Sequence, residues 1–594
     1  MPSYTAPVRE IRFLLDEVLD IGRYANLPGF SDATGDTLDA ILEAAAALSQ
    51  EVLQPINLSG DQEGCTRHAD GSVTTPKGFK EAYAQFVEGG WPALSCDPNF
   101  GGQGLPQTLS LAVSEMIASA NVAFGMYPGL SHGVYSALLH HGAKELQDKY
   151  LPKIVSGEWT GTMNLTEPHC GTDLGLLRTK AVPRADGSYK ISGQKIFISA
   201  GEHDLAENII HLVLARVEGD PAGTKGISLF VAPKFMVNPD GSLGARNPVT
   251  CGKLEEKMGI HANATAVLNY DEAIGWMVGQ QGRGLNAMFT MMNEARIAVA
   301  LQGLALSEVA YQNAAIYAKD RLQGRSLTGP KNPDGPADPI IVHPDVRRLL
   351  LDAKAFNEGG RALLYWTSLQ GDLETRTQDE AVKTKAADMM ALLTPVLKGY
   401  LTDKGFENAV NAQQVYGGHG FIEEWGMSQF VRDARIAMIY EGANGVQAMD
   451  LVGRKLAQNG GRSVMTFFKE VDDLLAEDAG NAELAPFNEG LKESKERLQK
   501  ATMWLMQNGM ANPENAGGAA TDYLHLFGIT GLAFGWRLIA KAALAKKDSG
   551  DPFYATKLKT GQYFIARIVP QGAAHLAKIE TGAASLMALT ADEF

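Results

Sequence analysis

The stretch Met163-Asn164-Leu165-Thr166-Glu167-Pro168-His169-Cys170-Gly171-Thr172-Asp173 stands where the texture of the chain changes. Upstream, from Thr37 to Leu151, apolar residues such as Leu38, Ile41, Leu42, Ala45 and Leu48 recur at three- and four-residue steps, the period of a helix face. From Trp159 to Val278 the pattern is short runs of β-branched and aromatic residues between turn signals such as Asp186-Gly187 and Asp240-Gly241. Ile209-Ile210-His211-Leu212-Val213-Leu214 and Ile227-Ser228-Leu229-Phe230-Val231 are the clearest strands. Helix returns at Gly284-Leu285 and runs to about Asp320, then from Asp345 to Leu369, from Ala381 to Val415, and after Glu441 to Leu456. The fold class is therefore mainly α with a central, β-barrel-like domain.

Outside this core, a helical lead ends at Leu27-Pro28-Gly29, and a further helical unit follows Gly460-Gly461. Its candidate helices lie near 463–477, 484–508, 518–546 and 552–590. Between Gly329 and Pro344, five prolines (330, 333, 336, 339 and 344) exclude helix and central strand, which makes this segment an ordered excursion or a mobile loop.

With 594 residues the chain exceeds one hydrophobic core and can bury a large cofactor. A net charge of −15 argues against nucleic acid or an anionic membrane face as the main partner. Cys65, Cys96, Cys170 and Cys251 are widely spaced and read as reduced thiols. His132, His140, His141, His343 and His419 show no metal-ligand spacing, so no metal is expected. The amphipathic start lacks the apolar core of a signal peptide, and the uncharged run Tyr523 to Trp536 is too short to span a bilayer. A cytoplasmic protein without an integral membrane segment is expected.

A second stretch, Ile439-Tyr440-Glu441-Gly442-Ala443-Asn444-Gly445-Val446-Gln447, places a lone carboxylate on a glycine-rich connection between helical patterns. Gln414-Val415-Tyr416-Gly417-Gly418-His419-Gly420-Phe421 and Arg432-Asp433-Ala434-Arg435-Ile436 lie just upstream. Taken singly, these residues have plainer readings. Glu441 alone is a solvated helix-end carboxylate, Thr166 a turn hydroxyl, Phe197 a core aromatic and Arg321 an exposed helix-end arginine. Taken in order, together with Leu165 to Asp173 and Lys195-Ile196-Phe197-Ile198-Ser199, they resemble the acyl-CoA dehydrogenase superfamily.

That resemblance implies a lead (1–36), an N-terminal helical domain (37–158) and a middle β domain (159–282). A C-terminal four-helix-bundle domain (283–457) and an extra helical domain (463–594), as in larger bacterial members, complete it. It further implies FAD as cofactor, held by Met163, Leu165, Thr166, Gly171, Thr172, Phe197, Ile198, Ser199 and Arg321. Gln414, Gly417 and Gly418 would reach the cofactor of a second subunit, so a homodimer is expected. Glu441 would be the catalytic base, because the family's other carboxylate location holds Ala295. Thr172, Asn293, Arg296, Tyr440 and Gly442 would line the acyl-CoA site, with Glu294 at the surface or in an ion pair. Ala443 and Gly445 replace residues that contact cofactor or substrate in relatives.

The acceptor would be an electron-transferring flavoprotein. Asn164 to Gly175, Lys319 to Gly324 and Tyr440 to Lys455 look particularly like a group of bacterial members acting on 3-methylmercaptopropionyl-CoA, in dimethylsulfoniopropionate catabolism. A short- or medium-chain fatty acyl-CoA dehydrogenase is the near alternative. An acyl-CoA oxidase or flavin monooxygenase on the same scaffold, or a flavin-free scaffold protein, are the alternatives of other classes.

Overall fold

The computed structural model describes residues 2–33 and 35–594; Met1 and Thr34, within the expected lead, lie outside them. The chain divides into two compact units. One comprises Ala44–Pro106 and Ala120–Ala298; the other comprises Met1–Glu43, Gln107–Ser119 and Val299–Phe594.

The first unit holds a barrel built from seven strands: β1 (Trp159–Asn164), β2 (Lys180–Pro183), β3 (Tyr189–Ser199), β4 (Asn208–Val217), β5 (Ile227–Pro233), β6 (Val249–Leu254) and β7 (Thr265–Val278). The ring closes through β7, β3, β2, β4 and β5, with β5 returning to the far end of β7. Only β2–β4 pairs in parallel within the ring; β1 adds a second parallel pair on the edge of β4, and β6 lies antiparallel on β7. Closure leaves those ring strands no free edge to manage.

The continuous apolar run at 209–214 follows from this arrangement. Val213 and Ala215 of β4 face the barrel core with Ile191, Phe230 and Leu268. Ile210, Leu212 and Leu214 face outward onto Val134, Leu138, Tyr150 and Ile154 of the helices Val122–His141 and Lys144–Val155. A strand covered on both faces loses polar alternation.

In the second unit, the long helices Pro344–Arg376 and Glu380–Val415 pack with the C-terminal part of the helix Gly284–Asp320. At their centre Arg361, 1% exposed, bonds Glu115 at 2.6 Å and Glu308 at 2.9 Å, while Tyr365 donates to Glu115. Buried charge is tolerated because each member has a partner. The helix expected to stop at Leu369 continues for two more turns to Arg376, held by the Arg376–Asp372 contact at 3.1 Å.

The helix Pro513–Ala545 has the length and apolarity of a membrane span, yet 83% of its apolar window is buried. Its glycines explain that. A Cβ at Gly528 would strike the Tyr400 ring, one at Gly531 would lie 2.6 Å from Leu363, and one at Gly535 would lie 2.9 Å from the Gly359 carbonyl. The expected helix 552–590 is instead two, Pro552–Arg567 and Gly572–Glu580. Pro570 cannot donate its amide to a continuing helix, which breaks the run there.

The lead is part of this unit. Phe13 packs edge-on to Phe553 at 5.3 Å, and Lys557 is paired with both Glu10 and Glu358. The proline-rich excursion is ordered around one carboxylate. Asp338, with no solvent exposure, accepts from the amides of Ser326 (2.8 Å), Lys331 (2.9 Å) and Asn332 (2.7 Å). Burial pushes the Asp338 carboxyl up, but these donors outweigh burial and hold it at about 2.

Candidate active site

Glu441 lies on the connection between the helices Met427–Ala437 and Asn444–Asp450. Its φ of 56° is in the left-handed region, costly for a residue with a side chain. Gly442 follows at φ 84°, where a Cβ would meet the Gln447 amide at 2.5 Å. Two consecutive left-handed residues turn the chain sharply and leave Glu441 half-buried.

The strain is held by buried donors. Gln447, with no exposure, gives Nε2 to the carbonyls of Glu441 (3.1 Å) and Gly442 (3.2 Å). Lys398, also fully buried, donates from Nζ to the Gly442 carbonyl and to Asn444 Oδ1, each at 2.8 Å. Tyr440 donates its hydroxyl to Gln302 Oε1; burial first and the adjacent Glu441 charge second push its phenol up. Lys398 and Gln447 were missed in the sequence, although Gln447 lies inside the quoted motif and Lys398 interrupts an apolar run.

On the barrel, Glu167 organises the loop after β1. Burial pushes its carboxyl up, but Lys195 Nζ at 2.8 Å and the amides of Arg178 (2.7 Å) and Thr179 (3.0 Å) outweigh burial and leave it below the usual carboxylate range. Lys195 also donates to the Leu165 carbonyl at 2.9 Å, and the Ile196 amide to Thr166 at 2.9 Å, so the two motifs are stitched side by side.

Next to that seam, β3 carries two residues, Ile196 and Phe197, opposite one on β7. This bulge re-aims the side chain, and Phe197, at φ 60°, stands 60% exposed. Met163, Leu165, Thr166 and Ser199 are half-buried, and Gly171 and Thr172 exposed, with open space where a Gly171 Cβ would be. An exposed aromatic beside half-buried apolar and hydroxyl groups suits a flat, hydrogen-bonding ring system such as isoalloxazine. Ile198 differs: its side chain belongs to the barrel core, which leaves only its main chain for a ligand.

Arg296 is 7% exposed and reaches Asn293 Oδ1 at 3.3 Å. Glu294 corrects the expectation of a surface or ion-paired group. One of its oxygens is inaccessible, its neighbouring hydroxyl is that of Ser136, and burial raises its carboxyl to about 7. Met291 one turn earlier packs against Gly133, which turns this helix face inward. A carboxyl raised from 4.5 binds its proton more tightly when folded, so stability declines as pH rises from the unfolded value through about 7. The loss is on the order of 3 kcal/mol. Glu294→Gln is expected to remove that slope, raising the melting temperature at about pH 8 and changing it little at about pH 5.

Arg321 and Gln414 are exposed on the second unit, as are Gly417 and Gly418. Their turn rests on aromatic stacking: Tyr317 on Tyr416 at 4.0 Å, and His419 on Trp425 at 4.5 Å, with Tyr317 and His419 hydrogen-bonded at 2.8 Å. Phe421, 84% exposed, and Ile422 extend an apolar surface beside it. Among the described residues, one His/Cys/carboxylate group has metal-ligand proximity: Glu167, His169 and Cys170. Lys195 already supplies the positive charge there, so we assign it no metal.

This fold and this order of motifs define a flavoenzyme scaffold, and the chain belongs to the acyl-CoA dehydrogenase family of oxidoreductases. It matches the family's N-terminal domain over residues 36–158, its middle domain over 162–273, its C-terminal domain over 282–456 and its further C-terminal-like domain over 467–590. It is 41% identical to the 3-methylmercaptopropionyl-CoA dehydrogenase of Ruegeria pomeroyi, covering 98% of this chain and 99% of that one. A butyryl-CoA dehydrogenase of Syntrophomonas wolfei is 35% identical over 96% and 95%. In fold it resembles an acyl-CoA dehydrogenase complexed with FAD from Bacillus anthracis, with a TM-score of 0.75 at 20% identity, over 92% and 88% of the two chains.

Proposed function

We propose that Glu441 is the base in an FAD-dependent α,β-dehydrogenation of a short acyl-CoA, with 3-methylmercaptopropionyl-CoA as the leading substrate. The observation that carries this reading is a half-buried carboxylate on a left-handed kink pinned from beneath by Lys398 and Gln447. Glu441 takes the α-proton. Its own main-chain N–H steadies the thioester oxygen as enolate charge develops, a contribution of about 3 kcal/mol for one such donor.

FAD, when bound, supplies the acceptor for the β-hydride, and the product is a trans-2-enoyl-CoA. By the resemblance, Phe197 would cover the flavin, Met163, Leu165, Thr166, Gly171, Thr172, Ser199 and the Ile198 main chain would hold it, and Arg321 would serve its pyrophosphate. Gln414, Gly417 and Gly418 serve the cofactor of a second subunit in a homodimer, consistent with the exposed Phe421 and Ile422 beside them. Asn293, Arg296, Thr172, Tyr440 and Gly442 line the substrate site, and an electron-transferring flavoprotein reoxidises the enzyme.

The relative from Ruegeria supports the thioether substrate, and the butyryl-CoA relative supports a straight short chain. Butyryl-CoA is shorter than the thioether compound by one chain atom, a difference worth about 1–3 kcal/mol in an apolar pocket. Steady-state kcat/KM across a panel of acyl-CoAs is therefore expected to favour the thioether compound over butyryl-CoA by roughly tenfold or more. A maximum at longer chains would remove the assignment. Oxygen uptake with peroxide release, in place of flavoprotein reduction, would indicate an oxidase.

A further inference from the structure

The extra C-terminal helices reach the Glu441 connection through a line of hydrogen-bonded side chains. In the helix Pro513–Ala545, Gly528 lies against the Tyr400 ring, and Leu524 occupies the space where a Gly399 Cβ would be, 2.7 Å away. This close approach sets His525 on the Asp403 turn of the helix Glu380–Val415. His525 Nε2 is 2.9 Å from Asp403 Oδ2, and its ring packs edge-on to Tyr400 at 5.5 Å. Behind it, the ring of His575 lies 5.4 Å away and bonds Asp522 at 2.7 Å.

From Asp403 the line continues inward. Asp403 Oδ1 accepts from Asn444 Nδ2 at 2.6 Å, and Asn444 Oδ1 accepts from Lys398 Nζ at 2.8 Å. The same ammonium donates to the Gly442 carbonyl, the peptide group that follows Glu441. The amide of Asn444 has a single orientation that satisfies both neighbours, because a carboxylate only accepts and an ammonium only donates. Its Nδ2 also meets Thr402 Oγ1 at 2.9 Å and the Gly399 carbonyl at 3.2 Å. With His525 in place, Asp403 is held inward at 20% exposure; without it, nearby solvent competes for the carboxylate.

We propose that His525 is a positioning residue for Glu441, through which the extra domain fixes the geometry of the base. The proposal deepens the reading above and rests on Glu441 being that base. A mis-set reacting group slows chemistry without weakening ground-state binding.

The test uses the full-length, FAD-loaded protein carrying His525→Ala or His525→Gln. For His525→Ala, kcat is expected to fall roughly tenfold while KM for the acyl-CoA and the melting temperature hold. Amide hydrogen exchange over residues 439–447 is expected to quicken. His525→Gln, whose amide can still donate to Asp403, is expected to restore most of the rate and the protection. A wild-type kcat in His525→Ala overturns the proposal. So does equal loss in both variants with a matching fall in melting temperature, which would indicate packing alone. Exchange reads the connection without any turnover, so a fully active Glu441→Gln would remove the base assignment and be told apart from failure of the tether.

Discussion

Glu441→Gln is expected to lower kcat by roughly 10³-fold, the usual size of a lost general base, while FAD content and affinity for the acyl-CoA stay near wild type. The substitution is isosteric, and the backbone that shapes the connection is held through the carbonyl oxygens of Glu441 and Gly442. Gln447 bonds the Glu441 and Gly442 carbonyls, and Lys398 bonds Gly442 and Asn444. The kink at φ 56° is therefore retained, and what disappears is the ability to accept a proton. Steady-state rates with an electron acceptor, alongside the flavin absorbance of the purified variant, measure both halves of this expectation.

Lys195→Met is expected to destabilise the protein by about 3–5 kcal/mol and to release the flavin, because it leaves a buried carboxylate without its cation. Lys195 has no exposure and Glu167 only 3%. The pair also holds the Leu165 carbonyl and borders Thr166, so its loss loosens the loop on which the cofactor reading depends. The double variant Lys195→Met with Glu167→Gln is expected to recover part of the stability, since no uncompensated charge remains. Thermal unfolding followed together with flavin fluorescence separates the two consequences. A Lys195→Met protein with wild-type stability would show that the ion pair does not hold this loop.

The barrel was legible because its strands carry a local signature: β4 and β5 are apolar on both faces, and turn signals bracket them. The helix start at Gly284 was legible for the same reason, a change of period marked by a glycine. The polar supports of the site were not. Glu167 meets Lys195 across 28 residues and Lys398 meets Gly442 across 44, and such pairings exist only once the barrel has closed or two helices have packed. Glu294 looked like a surface residue because a helix shows its buried face only against a neighbour, here Gly133 and Ser136. The break at Pro570 carried a local signal, and the apolar pattern around it concealed it.

The extra domain changes how the site is understood. Its glycine-lined helix packs on the helix that supplies Lys398, Thr402 and Asp403, which places the segment that distinguishes this chain from shorter family members within hydrogen-bonding reach of the Glu441 connection. The lead packs on the extra domain through Glu10 and Phe13, which meet Lys557 and Phe553.

A single anaerobic turnover tests the role of Glu441 most directly. FAD-loaded wild-type protein and Glu441→Gln, matched for flavin content, are mixed with 3-methylmercaptopropionyl-CoA and followed by the loss of oxidised-flavin absorbance. The wild type is predicted to bleach rapidly and the variant to stay yellow with substrate bound. Bleaching of the variant at the wild-type rate would contradict the assignment of this carboxylate as the base.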